Sequence, residues 1–197
     1  MVNKLHDQYE CPLDIYLYKF INMHLHLFYE LGFSPNMVTT LSIIFGILAA
    51  YFIMKGHFII ASIMWLISYY LDCVDGKLAR KYNMISEFGD YYDHIGDIFK
   101  IIIIFYALFN SNPKRKTSAN QKLYLIIYFI FLFLSAIHMG YQEAVYDKKN
   151  ESPWLNFLKV MVTSAYDHPT QIIHVTKYFG CGTAAIVFAL LIIFWRK

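Results

Sequence analysis

Residues 72–97 read Asp72-Cys73-Val74-Asp75-Gly76-Lys77-Leu78-Ala79-Arg80, then eight residues, then Gly89-Asp90-Tyr91-Tyr92-Asp93-His94-Ile95-Gly96-Asp97. Apolar runs of membrane-spanning character flank this stretch on both sides. A charged side chain at the centre of a bilayer costs about 2.5–3.5 kcal/mol on insertion scales. Four carboxylates near that depth cost on the order of 10 kcal/mol, which no neutral structural role offsets. Divalent cations compensate such charge through oxygen-only ligands. The pattern predicts a metal centre inside a membrane protein.

Composition agrees. The 197 residues are the length of one domain, and they are 58% apolar, 19% aromatic and only 16% charged. That is too little polar surface to coat a globule, so the excess apolar area faces lipid or a partner. The net charge of +3 comes with no basic stripe, which excludes nucleic acid as a partner. Cys11, Cys73 and Cys181 are scattered without metal-ligand spacing and read as free thiols. Met1 to Gln8 is polar, and no signal peptide is expected.

The segment from Pro12 to Leu31 mixes apolar residues with Asp14, Lys19, His24, His26 and Glu30. It is too polar to span and suits an amphipathic helix at the interface, with a helix against the soluble face as the alternative. Pro12 fits its first turn. After the break at Gly32–Asn36, Met37–Met54 is the first span. Phe58–Leu71 offers only fourteen apolar residues, too few at 1.5 Å each to cross about 30 Å of hydrocarbon. That helix must run on through Asp72, Asp75 and Ala79. A third segment starts near Gly89 and becomes apolar over Ile98–Phe109, with Lys100 inside it. Leu123–Tyr141 is a fourth span, and Tyr178–Trp195 is the last. Trp154–Tyr166 is thirteen residues with Asn156 and Lys159, either a further span or an interfacial segment. The expected fold is an all-α integral membrane protein, multi-pass, with about six transmembrane helices behind an N-terminal amphipathic helix. Residues 1–35 form the N-terminal segment and 36–197 the polytopic domain.

Lys77, Arg80, Lys81, Lys148, Lys149, Arg196 and Lys197 share one side in a six-span layout, against Lys114, Arg115, Lys116 and Lys122 on the other. The larger group places the motif loop in the cytoplasm. Lys114–Lys116 itself reads as a solvated loop touching lipid phosphates. The glycosylation-like Asn150-Glu151-Ser152 is discounted, since it falls on the cytoplasmic side with Pro153 behind it.

On a helix, Asp72, Asp75, Gly76, Ala79 and Arg80 share one face, as do Gly89, Asp93 and Asp97. Two antiparallel helices joined by residues 81–88 bring those faces together. Four carboxylates then converge, enough for two divalent ions with positions left open for phosphate oxygens. Gly76 and Ala79 leave room for a flat or bulky group, and Arg80 offers a planar charged fork to a phosphate.

The pattern D-x2-D-G-x2-A-R-x8-G-x3-D-x3-D, complete over residues 72–97, resembles the signature of the CDP-alcohol phosphotransferase family. A looser likeness extends to Pro35, Asn36 and Thr39 behind the amphipathic helix. The resemblance implies a transferase of phospholipid biosynthesis, six transmembrane helices, a homodimer, and dependence on Mg2+ or Mn2+. It implies that Asp72, Asp75, Asp93 and Asp97 share two metal ions gripping the diphosphate of a CDP-linked donor. Asp72, Gly76, Ala79, Arg80 and Gly89 would bind the CDP moiety. Asp97 would be the general base that takes a proton from the acceptor alcohol, with CMP leaving.

His94 and Asp90 flank the third aspartate in a manner similar to aminoalcohol phosphotransferases, which makes His94 an auxiliary base or acceptor-binding group. The bland alternative is a histidine that holds a neighbouring carboxylate. Asp90 is expected behind the site or facing water. Lys100 either snorkels to water or faces the site. His24 and His26 are poorly spaced as metal ligands. Two substrate pairings are open: phosphatidyl transfer from CDP-diacylglycerol to a soluble alcohol, favoured by the short chain, and transfer of an aminoalcohol phosphate to diacylglycerol, favoured by His94. A cation-conducting protein is the rival from another class. It accounts for intramembrane carboxylates but not for the glycine, alanine and arginine at their places.

Overall fold

The computed structural model describes residues 7–111, 117–145, 152, 154–165 and 168–195. Lys114, Arg115, Lys116, Lys148, Lys149, Asn150, Pro153, Arg196 and Lys197, which entered the orientation and glycosylation readings, lie outside them. Among the described residues the chain is all helical. The helices are α1 (Pro12–Glu30), α2 (Pro35–Met54), α3 (Phe58–Lys81), α4 (Glu87–Asn110), α5 (Ala119–Val145), α6 (Asn156–Ala165), α7 (Pro169–Thr176) and α8 (Cys181–Phe194).

Local chemistry sets the boundaries. Ser34 caps α2 by accepting from Met37 N at 3.3 Å, with Pro35 in the first turn. Gly56, at φ +78°, turns the chain between α2 and α3, a conformation open to glycine without penalty. Ser86 caps α4 by accepting from Gly89 N at 3.0 Å, which starts that helix at Glu87, a little before the glycine. α3 runs from Phe58 to Lys81 without interruption, so the aspartates of its second half are carried on a continuous helix, as the short apolar run requires.

α2 is the central element and packs most extensively against α3, then α4, while α8 lies against α3 and α5. One apolar core gathers Ala49, Ile53, Trp65, Ile104, Tyr128, Phe188 and Ile192. Indole N–H groups buried there find backbone acceptors, with Trp65 Nε1 donating to Ala185 O at 2.9 Å and Trp195 Nε1 to Leu108 O at 2.8 Å. A second core joins α1 to the hairpin through Ile21, Leu25, Val38, Leu71, Val74 and Leu78.

α1 also shows an unpartnered apolar stripe, since Leu13, Tyr16, Phe20, Met23 and Leu27 are exposed at helical spacing. Its N-terminal end is clasped to α8. Asp14, buried, accepts from Tyr69 Oη at 2.6 Å and from Gly182 N at 3.1 Å, and a Cβ on Gly182 would collide with that carboxylate. Glu10, also buried, accepts from Gln142 Nε2 at 3.2 Å. Burial, and then the charge of Asp14, push the Glu10 carboxyl up to about 7.

Among the described residues, four helical stretches are long and apolar enough to cross a membrane: Pro35–Met54, Phe58–Lys81, Ala119–Val145 and Pro169–Phe194. Along α5, Ile126, Phe129, Ile130 and Phe133 are exposed, a surface suited to hydrocarbon. α6 is ten residues, about 15 Å, and is too short to cross alone.

Candidate active site

The site is assembled where the second half of α3 and the first half of α4 lie against α2. The spacer of the motif becomes a tight link. α3 ends at Lys81, Asn83 takes φ 55°, and Met84 N donates to Ala79 O at 2.8 Å. Glycines then let α4 close on α2. A Cβ on Gly89 would sit 3.2 Å from Asn36 Oδ1, and one on Gly96 would sit 2.8 Å from Ile43 Cδ1. The loose likeness at Pro35-Asn36-Thr39 thus maps onto the wall of the site.

Asp72, Asp93 and Asp97 each present an oxygen to one another within 4.8 Å. Asp75 lies one turn beyond Asp72, is 3% exposed, and accepts from Thr39 Oγ1 through Oδ2 at 2.6 Å. Asp93 Oδ1 is buried and has no hydrogen-bond partner. A buried carboxylate oxygen left bare is costly, and a cation is the natural occupant of that position. The donor set is carboxylate oxygen only, the preference of magnesium and manganese, so the residues fit a divalent ion. Asp97 is more open than Asp72, its side chain 41% exposed against 18%.

Lys100 does not snorkel. It is 2% exposed, and its ammonium meets Asp97 Oδ1 at 2.6 Å, Asp72 Oδ1 at 2.8 Å and Ser42 Oγ at 2.7 Å. Its spacing from Asp97 left both options open, and the α2 partner that decides between them is distant in sequence.

The space over Gly76 is taken by the side chain of Arg80. A Cβ there would lie 3.2 Å from both Nη1 and Nη2 of that guanidinium, and Arg80 Nε is buried without a partner. The arginine thus folds back along α3 over Gly76, with its Nε donor to spare.

His94 Nδ1 lies 2.7 Å from Asp90 O. A carbonyl only accepts, so Nδ1 is the donor in this contact and Nε2 is left free of it. Asp90 neither backs the carboxylates nor simply faces water. Its oxygens lie 2.7 and 2.8 Å from Ser152 Oγ, and Oδ2 accepts from Trp154 N at 3.3 Å. The link before α6 is therefore tied to the first turns of α4, with the Trp154 ring 5.9 Å from that of His94. Ser152 had no visible role in the sequence beyond the discounted acceptor motif. The histidines of α1 are engaged elsewhere, His24 with Tyr70 Oη and His26 with Glu30 at 3.0 Å.

An all-helical membrane chain with a hard-oxygen centre and an arginine on one of the two helices that build it has the parts that phosphoryl-group transfer uses. The family model described as CDP-alcohol phosphatidyltransferase matches residues 33–196, and the chain belongs to that family of phospholipid-biosynthesis transferases. Relatives are more distant. An archaetidylinositol phosphate synthase of Pyrococcus horikoshii is 35% identical over 64 residues, 32% of this chain and 34% of the relative. A CDP-diacylglycerol–serine O-phosphatidyltransferase of Helicobacter pylori is 30% identical over 82 residues, 39% of this chain and 35% of the relative. An uncharacterized protein of Aquifex aeolicus is 31% identical over 83 residues, 42% of each chain. The chain spans between a third and about two-fifths of the length of these curated relatives. No solved structure matches it.

Proposed function

We propose that this protein transfers a phosphatidyl group from a CDP-linked lipid donor to a soluble alcohol and releases CMP. The observation that carries the proposal is the convergence of Asp72, Asp93 and Asp97, with Asp93 Oδ1 buried and bare. The relatives support the choice of donor, since one is named as a CDP-diacylglycerol-dependent phosphatidyltransferase.

Asp72, Asp75, Asp93 and Asp97 would hold magnesium or manganese, two ions when the donor is in place. Bound there, the metal would neutralise charge on the diphosphate oxygens. Asp97, more open than Asp72, takes the proton of the acceptor hydroxyl as the hydroxyl oxygen bonds to phosphorus and the bond to the CMP oxygen breaks. Arg80 swings from its place over Gly76 to a phosphate, vacating space between Gly76 and Ala79 for the cytosine ring, with Gly89 lining the opposite wall.

A second reading has a specific observation behind it. The His94 ring lies beside that of Trp154 with Nδ1 committed to Asp90 O, a place where an acceptor hydroxyl could be held by Nε2, as transfer of an aminoalcohol phosphate to diacylglycerol would use.

The same reading includes about six membrane crossings, a homodimer, a cytoplasmic motif loop, and division into residues 1–35 and a catalytic domain at 36–197. Support for a further crossing comes from α4, whose 24 residues are long enough although its charges set it apart from the four apolar spans. Support for an interfacial α1 comes from its exposed apolar stripe.

The test is CMP release by the protein in lipid nanodiscs with Mg2+. CDP-diacylglycerol is paired with a panel of alcohols, and CDP-ethanolamine or CDP-choline with diacylglycerol. Metal-dependent release from the first set, lost in Asp97→Asn, supports the proposal. Release only from the second set transfers the assignment to the His94 reading. No release and no binding of CMP sinks both.

A further inference from the structure

The surroundings of Lys100 are built for a fixed charge. Its stem lies in a notch of α2 that exists because residue 46 is glycine, since a Cβ there would sit 2.7 Å from Lys100 Cγ. An ammonium has three N–H bonds, and Lys100 has three acceptors, Ser42 Oγ, Asp72 Oδ1 and Asp97 Oδ1. No donor remains for water or substrate. Ser42 is itself anchored, its Oγ donating to Ser68 O at 2.9 Å while Ser68 Oγ donates to Ser42 O at 2.8 Å. The oxygen that receives Lys100 is therefore held by two helices.

This places a permanent +1 charge across Asp72 and Asp97, which belong to different helices. With all four aspartates ionised, as ligation of a cation requires, they carry −4, and Lys100 leaves −3. One divalent ion brings the centre to −1. A second would make it positive, pressed against an ammonium that has no other acceptor to move to. Asp72 and Asp97 have each committed one oxygen to Lys100, which leaves their second oxygens and the bare Asp93 for a single ion. We propose that Lys100 stands in for the second divalent cation, so that the centre holds one ion per chain until a diphosphate donor arrives with negative charge of its own. Lys100 is then a positioning residue that sets metal stoichiometry. The proposal rests on the metal-dependent reading above.

The experiment is a Mn2+ titration of the protein in phosphatidylcholine nanodiscs without nucleotide. Bound ions are counted from the free Mn2+ electron paramagnetic resonance signal, and Mn–Mn coupling is read at low temperature. One uncoupled Mn2+ per wild-type chain, two coupled ions in Lys100→Met and one in Lys100→Arg are the expected results. Two ions taken up together by the wild type overturn the proposal, as does a folded Lys100→Met that still takes up its ions one at a time at the wild-type concentrations. If Lys100→Met does not fold, Ser42→Ala replaces it. Loss of the anchor is expected to admit the second ion at concentrations about tenfold below those the wild type needs, a shift of about 1.4 kcal/mol. An unchanged second-ion threshold overturns the proposal. Absence of any bound Mn2+ in the wild type overturns the metal-dependent function itself, a result distinct from finding two ions.

Discussion

Asp14 and Asp93 are both aspartates withdrawn from water where helices meet, and the protein treats them in opposite ways. Asp14 is given a phenol and a helix-terminal N–H, one for each oxygen. Asp93 is left with a buried oxygen that no partner among the described residues satisfies. The first arrangement stabilises the fold, because a buried acceptor with both partners made costs little. The second is a liability that only a ligand removes. Satisfaction of the lone pairs, rather than burial, separates the structural carboxylate from the functional one.

The comparison breaks most sharply at the catalytic end. Asp97→Asn is expected to lower CMP release by about 10²–10⁴-fold, the usual worth of a general base, with unchanged thermal stability in nanodiscs. Asp93→Asn is expected to lower Mn2+ affinity at least about tenfold, the lower end for altering a metal's surroundings. Its unfolding temperature should hold or rise, since one of several mutually repelling charges is gone. A loss of stability with metal binding intact would reverse the contrast with Asp14.

At the structural end, Asp14→Ala is expected to cost about 1–3 kcal/mol of stability by stranding Tyr69 Oη and Gly182 N. CMP release per folded molecule should be unchanged. Glu10 gives the smallest effect, and its sign follows from its raised pKa of about 7 against 4.5. The folded state keeps the proton after the unfolded state has lost it, so the contribution is full below pH 4.5, declines as pH rises to about 7, and is flat above. Glu10→Gln should remove that decline from a series of melting curves across this range.

Much of the site was legible because its residues are close in sequence and share helical faces. Asp72, Asp75, Gly76 and Arg80 ride one helix and Gly89, Asp93 and Asp97 the next, as their spacing predicts. The continuation of α3 past Leu71 followed from the bilayer thickness alone. What spacing does not carry is a contact across long separations. The fate of Lys100 is decided by Ser42 and Gly46, and that of Asp90 by Ser152. The guanidinium over Gly76 also escaped the sequence, because a glycine announces room without saying what fills it. Residues 154–166 were ambiguous for a physical reason, since a ten-residue α6 is apolar enough to touch lipid and too short to cross it.

The triple engagement of Lys100 also bears on how the chain enters the bilayer. α4 carries Glu87, Asp90, Asp93, Asp97 and Lys100, and it is absent from the four stretches that composition alone would commit to the membrane. A helix with such a burden partitions poorly by itself. Its lysine and last aspartate are paired together with Asp72 of α3 and Ser42 of α2. In terms of biogenesis, α4 is expected to be a passenger, docking onto the polar seam of α2 and α3 after their more apolar stretches have inserted.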